Sequence, residues 1–423
     1  MRSIVIVGGG FAGATVARRL LGRLPADWEV VLISEESYTT FSPLLAEVVG
    51  ASVFPEHVVA PLRQVISTQR GGRFVMAKVA DIDIAQRKIR CETLAGEREF
   101  SFDHLVLAFG NRARPDLVPG MAAHALVLKT VGDALHIRNI VLQRLAAMEL
   151  TTDQDASDRL GRFVVIGGGF SGVEVAGALA DCLKGIRRYY RHIDASSLSV
   201  AIIHDGPRLL PELPDKLGLA AAAALQEAGV TVLMSRSVTG IASDCITLDG
   251  RDKISTSTVI ATVGTKPNSL IDRMGMVTER GRIIVGPAFD VPDLQGVWAI
   301  GDCALAINAV NASPSPPTAQ FAIQQAIRLA ENLILATAGQ TGKPFSYAPR
   351  GSMASVGHLK GVAAAFGIGM SGLPAWLLWR AFYLSQMPTF GRKLRIFIEW
   401  TWGMFFPPDI THLRFNRSQY VDD

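Results

Sequence analysis

One pattern occurs twice in this chain and constrains its fold more than any other feature. Residues 3–20 read SIVIVGGGFAGATVARRL, and residues 162–179 read RFVVIGGGFSGVEVAGAL. Each copy is a β-branched run, a glycine cluster and then a helical apolar pattern. The first glycine of such a unit permits a tight strand-to-helix turn, the second admits a pyrophosphate to the backbone, and the third lets helix and sheet approach closely. The helix N-terminus then offers free N–H groups and a partial positive charge to the phosphates. Gly8, Gly10, Gly13 and Gly167, Gly169, Gly172 recur in the same context, which speaks against ligand-free turns. Two dinucleotide folds in one chain imply two dinucleotides with electrons passing between them, and a flavin and a nicotinamide are the obvious pair.

The rest of the chain fits an α/β enzyme of two or three domains. Hydrophobic residues make up 49% of its 423 residues and charged residues 19%, enough for large cores and too apolar for a disordered chain. Forty-two Lys and Arg against 38 Asp and Glu leave too slight an excess to suggest nucleic-acid binding. Cys91, Cys182, Cys245 and Cys303 lie far apart without a CxxC. That spacing argues against a metal cluster and a disulfide scaffold, and for a reducing compartment. Strands are expected over Phe74–Ala77, His104–Ala108, Leu198–Ile203, Thr231–Leu233 and Thr258–Val263. Thr151–Asp158 and Val310–Pro317 are expected to be loops, with a helix starting after Thr318 as its cap. No targeting segment is recognised at the start. Gly361–Trp379 approaches spanning length, but its glycines and Pro374 weaken that reading.

YTTFSPLLAEVVG at 38–50, FDHLVLAFGN at 102–111, LKTVGDALHIRN at 128–139 and GVEVAGALAD at 172–181 extend the two glycine motifs. VWAIGDCA at 297–304, TAQFAIQQ at 318–325, GSMASVGHLKGVAA and SGLPAWLLWRAFYL continue the series to the C-terminal region. Over nearly its whole length the chain resembles the type II NADH dehydrogenases, single-subunit NADH:quinone oxidoreductases that do not pump protons. The glycine motifs are shared by many flavoproteins; the AQxAxQQ segment and the C-terminal segments are more specific. The resemblance implies an α/β fold with two Rossmann-like dinucleotide-binding domains, for FAD and NAD(P)H, plus a C-terminal membrane-associated segment. The expected boundaries are 1–118 with 286–340 for FAD, 119–285 for NAD(P)H, and 341–423 for membrane association or dimerisation.

The same resemblance assigns site residues. For FAD it implies Gly8, Gly10, Phe11, Ala12 and Gly13, then Ser42, Pro43, Ala108, Gly110, Asp302, Ala319 and Gln320. The acid that holds the adenosine ribose in such folds would align with Ser34, so Glu35 is taken as its substitute. For NADH it implies Gly167, Gly169, Phe170, Ser171, Gly172, Glu174 and Gly264, with His204 and Asp205 where a ribose-binding acid is expected. An acid at 204 would repel the 2′-phosphate of NADPH, and histidine removes that repulsion, so the choice between NADH and NADPH stays open. The catalytic candidates are Glu174, Gln320 and Gln324. A partly buried carboxylate at 174 would orient the nicotinamide and have a raised pKa. Gln320 and Gln324 share a helix face and suit the carbonyls of a neutral quinone. Lys360 is a further quinone candidate. The implied reaction carries hydride from C4 of NADH to N5 of FAD and then two electrons to a membrane quinone. No metal is implied.

The last eighty residues carry Trp376, Trp379, Phe382, Tyr383, Phe390, Phe397, Trp400, Trp402, Phe405 and Phe406 among Arg380, Arg392, Lys393 and Arg395. Such a mixture suits the headgroup zone of an anionic bilayer, with Lys393–Met404 lying flat and Leu394, Phe397 and Met404 toward lipid. A homodimer interface is the competing use of these aromatics. The expected location is the cell membrane, peripheral, on the cytoplasmic side. Two functional rivals remain: a sulfide:quinone oxidoreductase, which needs redox cysteines near the flavin, and a non-catalytic redox-sensing flavoprotein.

Overall fold

The computed structural model describes residues 1–66, 71–349 and 351–413. Ile4, Val5 and Ile6 are fully buried because the strand Arg2–Val7 has a parallel neighbour on each side, Trp28–Ser34 and His104–Leu107. Strands buried on both faces read as continuous β-branched runs rather than alternating ones. The sheet extends to Val297–Ala299 on one side and Gly72–Asp83 on the other, then turns antiparallel through Lys88–Thr93 and Gly96–Ser101. The first glycine helix, Phe11–Leu20, packs against the long helix Ala319–Thr337, called here the glutamine helix. These elements belong to a compact unit of Met1–Thr40, Val59–Arg112 and Thr265–Pro349.

The second unit comprises Phe41–Val58, Ala113–Gly264 and Arg350–Asp423. Its sheet is wholly parallel, in the order Ala125–Val127, Thr258–Ala261, Arg162–Ile166, Ser199–His204, Val230–Met234. The second glycine helix, Phe170–Ile186, follows Arg162–Ile166. An antiparallel meander, Gly351–Gly357, Lys360–Ala365 and Ile368–Ser371, leads into two C-terminal helices, Leu373–Gln386 and Phe390–Trp402. Gly177 lets the meander approach the second glycine helix, since a Cβ there would lie 2.6 Å from the Val356 backbone.

These units divide the chain at points other than those expected. Phe41–Val58 joins the second unit because the short helix Leu45–Val49 packs on Val131–Met148 and on the second glycine helix. Residues 265–285 join the first, burying Leu270, Ile271 and Ile283 in its core. The region 341–423 is not a separate body: Phe345 is buried in the first core, while the meander and C-terminal helices pack within the second unit. Positions 350 and 414–423 of that expected region lie outside the described residues.

The expected loop at 151–158 is partly a helix, Gln154–Gly161, because Asp153 caps it and Gln154 bonds Asp158 one turn on at 2.7 Å. Among the described residues no helix is long and apolar enough to cross a membrane. The candidate span at 361–379 instead forms parts of two strands and the start of a helix.

Candidate active site

The two glycine turns are built alike, bond for bond. Gly8 N–H donates to the Ile33 carbonyl at 2.8 Å, and Gly167 N–H donates to the Ile203 carbonyl at 2.8 Å. Their φ angles are +114° and +113°, conformations that a side chain would strain. A Cβ on Gly13 would sit 1.9 Å from the Gly8 oxygen, and one on Gly172 would sit 1.8 Å from the Gly167 oxygen. The first and third glycines are therefore dictated by the protein's own packing. The second is not: a Cβ on Gly10 or on Gly169 would meet nothing within 4 Å. Each begins a helix with no side-chain cap and no acid in its first turn. A backbone kept bare beside open space suits a pyrophosphate, and the FAD and NADH assignments fit both turns.

At the strand ends the copies diverge. Ser34 Oγ lies against the middle glycine Gly9, where a Cβ would be 2.5 Å away, and the His204 ring lies equally against Gly168, at 2.6 Å. Glu35 faces solvent and pairs with Arg112 at 3.4 Å. Asp205 is exposed, with its carboxylate 3.2 Å from His204 Nδ1. In the first unit Asp302 sits in a 3₁₀ turn, Gly301–Cys303, whose Gly301 N–H donates to buried Gln325 at 2.8 Å. Gln325 went unnoticed in the sequence, although its place in AIQQ was visible. Ala108 supplies the carbonyl that a Gly8 Cβ would strike, and Gly110 follows in a left-handed conformation.

In the second unit, Phe170 and Ser171 open the glycine helix, and Gly264 lies just beyond Thr258–Ala261 with a positive φ. Ser42 and Pro43 form a 3₁₀ turn beside Phe41, whose ring meets Tyr383 edge-on at 5.9 Å. Glu174 occupies the helix's second turn. Its Oε1 accepts from Ser355 N–H at 3.2 Å and from the Trp379 indole at 3.0 Å. Burial lifts its pKa to about 8 and the charge of Glu47 adds to the rise, although both hydrogen bonds oppose it. A second buried acid, Glu47, accepts from the Trp400 indole, and burial raises its pKa too. The Arg380 guanidinium lies over Trp376 at 3.8 Å and over Trp400 at 4.8 Å. Burial pulls its pKa down to about 10. Two buried acids thus lie under two indoles, with the Arg380 guanidinium between aromatic rings. Glu47 has no local mark in the sequence, and the indoles of Trp379 and Trp400, expected there in the headgroup zone, bond buried acids instead.

Gln320 and Gln324 both lie on the first turns of the glutamine helix, whose N-cap Thr318 accepts from Phe321 N–H at 3.4 Å. Gln320 Nε2 donates to the Tyr347 hydroxyl at 2.6 Å. Ala319 begins the same helix.

Several expectations need correction. The Lys360 ammonium, a quinone candidate, lies 2.8 Å from the exposed Glu227 carboxylate, which leaves that expectation standing; the corrections concern the aromatic C-terminal region. Trp376, Trp379 and Trp400 are buried, at 3%, 1% and 4% exposure, because they seal the acid cluster; they do not face outward. Arg380 is part of that cluster, so it is not a surface cation. Leu394, Phe397 and Met404 are exposed, as are Phe382, Phe390, Trp402, Phe405 and Phe406. The four cysteines are free, and burial pushes the thiols of Cys182 and Cys303 up to about 12.

Residues 2–326 match the pyridine nucleotide-disulphide oxidoreductase family. The chain is 30% identical to the type II NADH:quinone oxidoreductase Ndh of Mycobacterium tuberculosis, over 94% of this chain and 87% of that protein. It is also 30% identical to the demethylphylloquinone reductase NdbB of Synechocystis, over 94% of this chain and 95% of that one. The solved structure of NDH2 from Plasmodium falciparum in complex with NADH superposes with a TM-score of 0.88 at 19% identity, covering 97% of this chain and 99% of that one.

Proposed function

Because the chain belongs to the pyridine nucleotide-disulphide oxidoreductases and, within them, to the type II NADH:quinone oxidoreductases, we propose that it oxidises NADH through FAD and reduces a membrane quinone without pumping protons. The observation that carries this reading is the pair of glycines, Gly10 and Gly169, kept bare with no reason inside the protein. When bound, FAD supplies hydride acceptance and two-electron donation. In our assignment the first turn, Ser42, Pro43, Ala108, Gly110, Asp302 and Ala319 bind it, with Glu35 at the ribose. The second turn binds NADH, and Phe170, Ser171, Asp205 and Gly264 complete its site. His204 lacks the charge that would exclude NADPH.

Glu174 is assigned to the nicotinamide. A carboxyl with a pKa near 8 holds its proton at neutral pH and can release it close to that range, which suits a reaction that must deliver a proton with each quinone reduced. Gln320 and Gln324 donate to the quinone carbonyls. The buried thiols of Cys182 and Cys303 are poor nucleophiles at neutral pH, which counts against sulfide oxidation.

The exposed apolar side chains of the C-terminal helices, with Arg395 among them, are our candidate membrane surface, and a homodimer is their alternative use. The enzyme would then lie on the cytoplasmic face of the cell membrane as a peripheral protein. An anaerobic titration tests the function. NADH should bleach the bound flavin, and a short-chain quinone should restore its colour within the mixing time. A flavin that NADH cannot bleach, or that only sulfide reduces, would refute the assignment.

A further inference from the structure

We propose that Tyr347 is a positioning residue for quinone reduction, holding the Gln320 carboxamide in the orientation in which it meets the quinone head. This rests on the reading of Gln320 as a quinone contact. The contact itself is short: Gln320 Nε2 lies 2.6 Å from the Tyr347 hydroxyl, and both side chains are part-buried.

The way Tyr347 is held gives the contact its meaning. Residues 340–349 form neither helix nor strand. Such a segment ordinarily wanders, yet this one is fastened at both of its aromatic residues. Phe345 N–H donates to the Pro287 carbonyl at 2.9 Å, and Ala309 N–H donates to the Phe345 carbonyl at 3.0 Å. Asn308, 2% exposed, grips the Tyr347 backbone twice: its Oδ1 accepts from Tyr347 N–H at 3.0 Å, and its Nδ2 donates to the Tyr347 carbonyl at 2.8 Å. The Phe345 ring is buried against Phe289 at 5.3 Å, and the Tyr347 ring meets Phe321 edge-on at 5.4 Å. Phe321 is the residue after Gln320, so the glutamine helix and the clamped segment hold each other in register.

The fixed product of this clamp is a hydroxyl at one point beside Gln320. Glutamine is among the side chains that lose most rotamer freedom on ordering, and a partner that orders it beforehand removes that cost from ligand binding. With one amide hydrogen on Tyr347, the second stays available for a quinone carbonyl, and the Tyr347 O–H keeps its own hydrogen. If the amide is turned over, Tyr347 donates to Oε1 instead and both amide hydrogens are aimed together. The side chain is pinned either way.

Tyr347→Phe tests the idea, because it keeps the ring, its contact with Phe321 and the backbone bonds to Asn308, and removes only the hydroxyl. FAD content, thermal unfolding and the rate of flavin bleaching by NADH should match the parent. KM for a short-chain benzoquinone in the reoxidation step should rise roughly three- to tenfold, the range of one lost hydrogen bond. In a Gln320→Ala background the same change should have no further effect; Gln320→Met serves if the alanine variant loses FAD. A parent-like KM in Tyr347→Phe, or effects that add fully in the double variant, would overturn the proposal. So would a loss of FAD together with equal slowing of both half-reactions, which is what a purely structural tyrosine would give. A parent that NADH bleaches but no quinone reoxidises would instead overturn the functional reading, and this proposal with it.

Discussion

The two glycine folds can be compared residue by residue, and the comparison separates binding from chemistry. Both turns make the same bond to the neighbouring strand, at the same length, and both jam their third glycine against the carbonyl of the first. At the turn itself, the copies differ in the side chains that hang from this frame. Thr15 in the first helix corresponds to Glu174 in the second, and Ser34 at the first strand end corresponds to His204 at the second. In our assignment a shared backbone supplies two nucleotide cradles, and one side-chain difference on a helix turn, Glu174 bonded by Ser355 and Trp379, gives the second a carboxyl whose pKa burial lifts to about 8. Chemistry on this frame is a matter of single side chains and what covers them.

The largest effects should come from attacking the frame. Gly13→Ala and Gly172→Ala place a Cβ within 2 Å of a backbone oxygen. Each should destabilise the fold by about 3 kcal/mol or more, read by denaturant unfolding of protein without nucleotide. Gly10→Ala and Gly169→Ala meet open space, and should unfold like the parent while weakening FAD and NADH respectively by roughly tenfold or more. If Gly10→Ala unfolds the ligand-free chain as readily as Gly13→Ala, the bare glycines are structural after all and the comparison fails.

Next in size is the titration of Glu174. Its pKa is raised in the folded chain, from 4.5 to about 8, so between those values the folded state binds more protons than the unfolded one. Stability from this residue therefore falls as pH rises across that window, is unaffected below it, and is fully diminished above it. Glu174→Gln should remove that slope, gaining on the parent by on the order of a few kcal/mol between pH 5 and 8.5. Thr15→Val, at the matching place in the first helix, should leave the slope intact. Stability curves of the parent and of Glu174→Gln that run parallel across the window would mean that the carboxyl is solvated.

The smallest effect concerns the strand ends. His204→Glu restores a negative charge against Gly168 and should raise KM for NADPH relative to NADH by roughly fivefold, with FAD content unchanged. An unchanged ratio would place the 2′-position away from His204.

How much of this was legible in the sequence follows from distance along the chain. The glycine turns were readable because the packing of Gly13 on Gly8 and of Gly172 on Gly167 closes within one strand-turn-helix, and the glutamine helix because its cap and period are local. Glu174 stood out by motif, but its roof did not: Trp379 lies 205 positions on, and Trp400 lies 353 positions from Glu47. No local pattern distinguishes a tryptophan that covers an acid from one that faces lipid, so all four C-terminal tryptophans looked alike, and burial separates three of them from Trp402. Gln154–Gly161 was missed because Ala156 and Leu160 are its only apolar side chains, too few to announce a helix in so polar a stretch.

The two C-terminal helices carry buried indoles on one side and exposed apolar side chains on the other, and this bears on any test of the membrane surface proposed above. Cutting the chain before Leu373 would remove the exposed aromatics, and it would also strip Trp379 from Glu174 and Trp400 from Glu47, opening two desolvated acids to water. If the exposed face is the membrane surface proposed above, a trimmed protein would be detached and damaged together, and no assay could tell which loss it was reading. The outward residues Phe397, Trp402 and Phe405 offer a cleaner route, since polar replacements there change the surface and leave the indole roof in place. The proposed membrane surface is therefore to be tested by repainting the helices and not by cutting them.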